Sequence, residues 1–219
     1  MTIKAFIFDL DGTLIDAFPA YEAAFEYAFE SVGRIYRKGM LAPFYGQVDT
    51  EILRKMLNKE TVDSDIRKMA ELKRNHYLKI AHDHIRILPC AARLIKTLKS
   101  KGMKIAIASS GQRSATEIAI DKLNIRDILD ASVTGTDVIN SKPDPEIFQK
   151  AREQLKTPPE QCAVLEDSLH GIEAAKRAGM LSIAVTTGKA TKEQLSALSP
   201  GIMVESLCEL IPKIDEIIK

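Results

Sequence analysis

AFIFDLDGTL, residues 5–14, passes from apolar to acidic within five positions. IKAFIF, residues 3–8, reads as a short strand buried on both faces. Asp9 and Asp11 then stand two residues apart, with Gly12 directly after them. Two neighbouring carboxylates repel each other and stay ionised only with a cation or a proton between them. The Asp-Gly pair alone could mark a hairpin turn. The next stretch, TLIDAFPAYEAAF, does not read as a partner strand, so the carboxylates need another explanation.

Four more apolar runs resemble the first: KIAIA (104–108), ASVT (131–134), AVLE (163–166) and SIAV (182–185). Segments of helical periodicity separate them: CAARLIKTLKSKG, RSATEIAIDKLNI, PEIFQKAREQL and SLHGIEAAKRAG. Strand–helix alternation predicts an α/β fold with a parallel sheet covered by helices on both faces. The rhythm breaks between Asp16 and Leu88, where only helical patterns occur. That span reads as a helical module inserted after the first strand, with Pro89 marking the return. The expected division is residues 1–15 plus 89–219 as the core and 16–88 as the insertion. Ligands of open parallel sheets bind at the carboxyl ends of the strands, so such an insertion is expected to act as a lid.

Bulk properties narrow the partners. Lys plus Arg number 31 and Asp plus Glu 30, for a net charge of +1. This balance gives no sign of a nucleic-acid or membrane-surface binder. No apolar run has the length of a membrane span, and the N-terminus lacks a secretory pattern. Cys90, Cys162 and Cys208 are odd in number and far apart, which predicts reduced thiols in a cytoplasmic protein.

The strand ends collect chemistry. The first supplies Asp9 and Asp11, and the second Ser109 and Ser110. Lys142 comes after the third in NSKPDP, and the fourth closes on Glu166 and Asp167. Each has a plainer reading. Ser109 or Ser110 could cap a helix, Lys142 could be a loop lysine, and Asp167 or Ser168 could cap the next helix. Together, carboxylates, a hydroxyl and an ammonium point to Mg²⁺ and a phosphate, since Mg²⁺ takes a few carboxylate oxygens plus substrate phosphate.

This set resembles the haloacid dehalogenase superfamily. DLDGTL (9–14) is similar to its first motif, Ser109 to the second, Lys142 to the third and EDS (166–168) to the fourth. The resemblance spans nearly the whole chain, and the first motif is highly specific. It implies a Rossmann-like sheet of order 5-4-1-2-3 with a helical cap. KPDPEIF and LEDSLHGIEAAKRAGM resemble the branch of phosphoglycolate phosphatases and β-phosphoglucomutases. By resemblance Asp9 is the nucleophile and Asp11 the acid and base. Ser109, Ser110 and Lys142 would bind phosphate. Asp9, Asp167 and the carbonyl of Asp11 would hold Mg²⁺, with Glu166 a further ligand or a support. Dehalogenases of this superfamily lack the second aspartate, so Asp11 favours phosphoryl transfer.

The expected activity is a Mg²⁺-dependent phosphatase for a small phosphorylated metabolite, acting as a monomer or weak dimer. A sugar-phosphate mutase is the alternative, and a catalytically silent regulatory protein a third reading. By resemblance to β-phosphoglucomutase, a threonine and a histidine should stand after the first motif, but Ala17 and Tyr21 occupy those positions. The cap arginine of that enzyme falls near Asp49, and its later lysine matches Lys73. Tyr45, Gln47, Lys73 and Arg74 are the candidates for substrate selection, with a solvated helix surface as their plain alternative. His76, His82 and His84 read as surface residues rather than ligands.

Overall fold

A computed structural model of the chain describes residues 2–44, 49–57 and 61–219. They form two compact units, Met1–Asp16 with Ile87–Lys219, and Ala17–Arg86. The first stretch holds β1 (Ala5–Phe8), β2 (Ile15–Asp16), α1 (Phe18–Glu30), α2 (Asp49–Met56), α3 (Asp63–His84) and β3 (Arg86–Ile87). Then come α4 (Ala91–Ser100), β4 (Lys104–Ser109), α5 (Arg113–Leu123), β5 (Ala131–Thr134), α6 (Glu146–Gln154) and β6 (Cys162–Glu166). The chain closes with α7 (Leu169–Arg177), β7 (Leu181–Val185), α8 (Lys192–Ala197), β8 (Ile202–Val204) and α9 (Ile214–Ile217).

Six strands make the main sheet, in the order β5-β4-β1-β6-β7-β8, and all of them pair in parallel. Counting the five runs expected from sequence, and starting from the other edge, this is the predicted order 5-4-1-2-3. β8 extends it beyond β7. Its three residues, Ile202–Val204, are too short a run to read as a strand, and Met203 and the neighbouring Gly201 weaken the signal further. β1 is central, and Ala5, Ile7 and Phe8 are fully buried, with Phe6 nearly so. Full burial of a Phe or Ile side chain contributes on the order of 2 kcal/mol. That anchors the strand and offsets the repulsion between the carboxylates at its end. On one face of the sheet Ala5, Ile7, Ala106, Val133 and Val164 pack with Phe148 of α6 and Ala174 of α7 in a single core.

The helical unit has its own core, in which Phe25 and Phe29 meet Ile52, Leu53, Ile66 and Met69. Pro19 sits in the first turn of α1, where a missing N–H removes no helical bond. Asp63 and Asp65 occupy the first turn of α3 and His82 and His84 its last, matching the helix dipole. His82 and His84 are exposed, as read from sequence. The main-chain N–H of Leu88 donates to Leu14 O at 3.0 Å, so the chain has rejoined the sheet unit before Pro89.

The cysteine reading requires correction. Cys90 and Cys208 form a disulfide across a sequence separation of 118, with their Cα atoms 5.2 Å apart. Among the described residues only Cys162 is a free, buried thiol. The pairing is invisible in sequence because folding alone brings the start of α4 next to the 3-10 turn Leu207–Glu209. Cys90 holds a left-handed backbone at the N-terminus of α4. The bridge removes the argument from reduced thiols to a cytoplasmic setting. No helix among the described residues is long and apolar enough to cross a membrane.

Candidate active site

Parallel register carries the chemical groups to one sheet edge. Phe8 pairs with Leu165 and with Ile107, so Asp9 emerges level with Glu166 and Ala108. The main-chain N–H of Asp9 donates to Leu165 O at 3.0 Å, holding it in line with β1. The chain then turns back on itself: Gly12 N donates to Ile15 O at 2.7 Å, and Leu14 N and Ile15 N both donate to Leu10 O. This turn places Thr13 so that its hydroxyl donates to Asp167 Oδ1 at 2.9 Å.

Lys142 is the hub. Its Nζ donates to Asp9 Oδ1 at 2.6 Å, to Glu166 Oε1 at 2.5 Å and to Ala108 O at 3.3 Å. It also lies 4.9 Å from the centre of the Phe148 ring. The loop that delivers it is tied by Glu146, whose carboxylate accepts from the amides of Ile139 and Asn140. The plain reading of Lys142 as a solvent-facing loop residue does not hold, because its side chain is only 7% exposed. Burial alone would pull the ammonium down, but Asp9 and Glu166 outweigh it and hold it above the ordinary lysine value.

Glu166 is fully buried and its two oxygens are committed. Oε1 takes Lys142, and Oε2 accepts from Asp167 N, Ser168 N and Ser168 Oγ. Ser168 also caps α7, accepting from Gly171 N at 3.0 Å. The capping alternative therefore falls on Ser168, leaving Asp167 for the cluster. A β-carbon at Gly171 would overlap the Glu166 carboxylate. We expect Gly171→Ala to lower unfolding stability by about 1–3 kcal/mol, the range of an overpacked core. Denaturant titration beside the wild type checks this, and unchanged stability would mean that the Glu166 site is loose.

Asp9, Glu166 and Asp167 each offer an oxygen within 4.8 Å of the others, and all three are buried. Burial pushes the Asp9 carboxyl up to about 7, against the pull of Lys142 and with the push of Glu166. Burial, then the charges of Asp9 and Glu166, raise Asp167 as well. Three carboxylates face a single ammonium here, so the cluster carries an excess of negative charge. All its donors are hard oxygens. That set fits a small divalent cation, with Asp9 and Asp167 as the groups best able to hold it, since Glu166 is already bonded through both oxygens.

Ser109 ends β4 one residue beyond Ala108 and is nearly buried; its Oγ accepts from Gly111 N at 3.1 Å. Neither serine caps α5, whose N-cap is Gln112. Ser110 lies on the exposed side of the turn. Of the candidates for substrate selection, Lys73 and Arg74 belong to the other unit. Lys73 is only 4% exposed, donates to both oxygens of Asp49 at 3.0 and 3.1 Å and lies 3.9 Å from the centre of the Tyr21 ring. It is thus an internal cation of the helical unit rather than a surface residue. Arg74 is exposed, and Tyr45 and Gln47 lie outside the described residues.

Two site elements escape a reading of the sequence. Thr13 stands inside the first motif, where the acidic residues dominate the pattern. The end of β7 draws no notice because TTG carries no charge. There the Thr187 hydroxyl donates to Gly12 O at 2.6 Å. Gly188 packs so closely on Asp167 that a β-carbon would overlap its carboxylate.

Known proteins are similar to this chain in sequence and fold. The chain is 34% identical over 183 residues to a phosphorylated carbohydrates phosphatase of Thermotoga maritima, covering 81% of this chain and 82% of that protein. It is 26% identical over 213 residues to the pyrophosphatase PpaX of Bacillus cereus, covering 97% and 96%. Among solved structures, a β-phosphoglucomutase from Clostridium difficile superposes with a TM-score of 0.76 at 28% identity, covering 98% of this chain and 96% of that one. The family model for haloacid dehalogenase-like hydrolases matches residues 6–185. With that match and its aspartates, lysine and sheet order in place, the chain belongs to the haloacid dehalogenase-like hydrolase family.

Proposed function

We propose that the protein is a Mg²⁺-dependent phosphatase that hydrolyses a small phosphorylated compound through an aspartyl-phosphate. The observation that carries this reading is the buried contact of Lys142 with Asp9, beside Asp167 and two residues before Asp11. Uncatalysed phosphate monoester hydrolysis is so slow that a catalyst must supply on the order of 20 kcal/mol. A carboxylate nucleophile divides that barrier into two steps.

Asp9 attacks phosphorus as the bond to the leaving oxygen breaks, and Asp11 protonates that oxygen. Water then attacks the phosphorus of the aspartyl-phosphate. Asp11 takes its proton, and inorganic phosphate leaves with the Asp9 carboxylate restored. Lys142 offsets the charge of Asp9 and of the phosphoryl oxygens, and the Ser109 hydroxyl donates to one of them. Glu166 keeps Lys142 in place. Asp9 and Asp167, with the carbonyl of Asp11, would hold Mg²⁺, which neutralises phosphoryl charge when bound. Thr13 orients Asp167 for that role.

The similarity to a β-phosphoglucomutase supports a second reading. A mutase must keep water from its phosphoenzyme until a sugar returns. Where the resemblance to that enzyme would put a threonine, Ala17 has no side-chain hydroxyl with which to hydrogen-bond a general acid, which favours hydrolysis over transfer to a sugar. Supplied with β-glucose 1-phosphate and a trace of glucose 1,6-bisphosphate, the protein should release inorganic phosphate as its main product. Accumulation of glucose 6-phosphate with little free phosphate would establish the mutase instead.

A further inference from the structure

The turn that carries Ser109 is clamped by the strand beside it. β4 and β5 pair so that Ser109 lies next to Thr134. One residue on, Gly135 N donates to Gly111 O at 2.9 Å. A β-carbon at Gly135 would come within 2.3 Å of Ser110 O, so the two loops meet with no room for a side chain. Asp137 closes the clamp. Its Oδ2 accepts from Thr134 N at 2.7 Å, from the Thr134 hydroxyl at 2.8 Å and from Arg113 Nη2 at 2.6 Å. Thr134 ends β5 and is fully buried, and Arg113 opens α5 two residues after Gly111. One carboxylate oxygen therefore joins the strand beside Ser109 to the helix that follows the turn.

The main chain of the same residue leads to Lys142. Asp137 O accepts from Lys150 Nζ at 2.5 Å, and Lys150 pairs at 2.9 Å with Glu146, the carboxylate that gathers the amides of Ile139 and Asn140. An ion pair as exposed as that of Arg113 with Asp137 contributes little to stability, so what it supplies is geometry. We infer that Asp137 is a positioning residue for phosphoryl binding, whose carboxylate sets the Ser109–Gly111 turn against the transferred group. This rests on the phosphatase reading above. A carboxylate near a phosphate site repels phosphate, so loss of its charge alone would tighten phosphate binding. A positioning role predicts the reverse, because the hydroxyl of Ser109 is then held less well.

The test compares the wild type with Asp137→Asn and Asp137→Ala, using p-nitrophenyl phosphate with Mg²⁺ and inorganic phosphate as a competing inhibitor. Asparagine still offers an oxygen to Thr134 but lacks the charge that holds Arg113. Asp137→Asn should raise both KM and the inhibition constant of phosphate, and lower kcat/KM about 10-fold, with the unfolding temperature close to that of the wild type. Asp137→Ala should go further in the same direction, and if it fails to fold, Asp137→Asn decides. An inhibition constant that stays the same or falls in folded Asp137→Asn overturns the inference, since charge or nothing would then be acting. A loss of activity that only tracks the loss of folded protein overturns it too, and marks Asp137 as a residue of the fold. In both cases an active wild type leaves the phosphatase reading standing. A wild type inactive on every phosphate compound removes both.

Discussion

Asp9→Asn should reduce phosphate release from p-nitrophenyl phosphate by at least about 10⁴-fold while leaving the fold intact. Asparagine keeps the shape of the side chain, and its carbonyl oxygen can still accept from Lys142 Nζ, which reaches Asp9 Oδ1 at 2.6 Å. It cannot form an acyl-phosphate. The substitution also removes one of three clustered negative charges, at a position where burial already penalises the ionised form. Stability should therefore be no lower than that of the wild type, as judged by thermal unfolding in metal-free buffer. A hundredfold or smaller loss of kcat would show that Asp9 is not the nucleophile. Loss of activity with loss of fold would instead mark it as a structural anchor.

The legible part of this molecule is the part with period and charge together. β1 announces itself because its apolar run ends in Asp9, and alternation gives a parallel sheet, while the strand order is legible only through the family resemblance. Lys142 is legible only as one member of a set. Nothing in NSKPDP says that the lysine turns inward; that depends on Glu146 gathering the loop amides of Ile139 and Asn140. Glu166 and Asp167 look alike in sequence. They separate only in three dimensions, where Ser168 and the α7 N-terminus absorb one and Thr13 orients the other. Thr187 and Gly188 go unread because an uncharged loop end carries no pattern of its own. The Cys90–Cys208 bridge lies beyond any local signal, since 118 residues separate the two. Long-range pairs of small side chains leave no periodicity to read.

Chelation should abolish turnover, and Mg²⁺ should restore it where Ca²⁺ does not. The donor set is all oxygen, with Asp9, Glu166 and Asp167 offering atoms within 4.8 Å of one another and no sulfur or imidazole among them. Without a cation, Asp9 and Asp167 carry charge that burial penalises, and a nucleophile held near protonation is a poor one. Glu166 spends its oxygens on Lys142 and on the amides of Asp167 and Ser168, so the remaining donors are few and fixed. A compact site with few ligands suits the octahedral demand of Mg²⁺. Ca²⁺ seeks more ligands at longer range and would draw Asp9 off line. The expected loss in excess EDTA is at least about 10³-fold in kcat, since the groups opposing phosphoryl charge would be reduced to Lys142 and Ser109. Binding can be read without turnover: Mg²⁺ should raise the unfolding temperature of the wild type by mass action, and Asp167→Asn should remove most of that rise. Full activity in EDTA would refute the metal assignment. A rise that survives Asp167→Asn would place the cation elsewhere in the molecule.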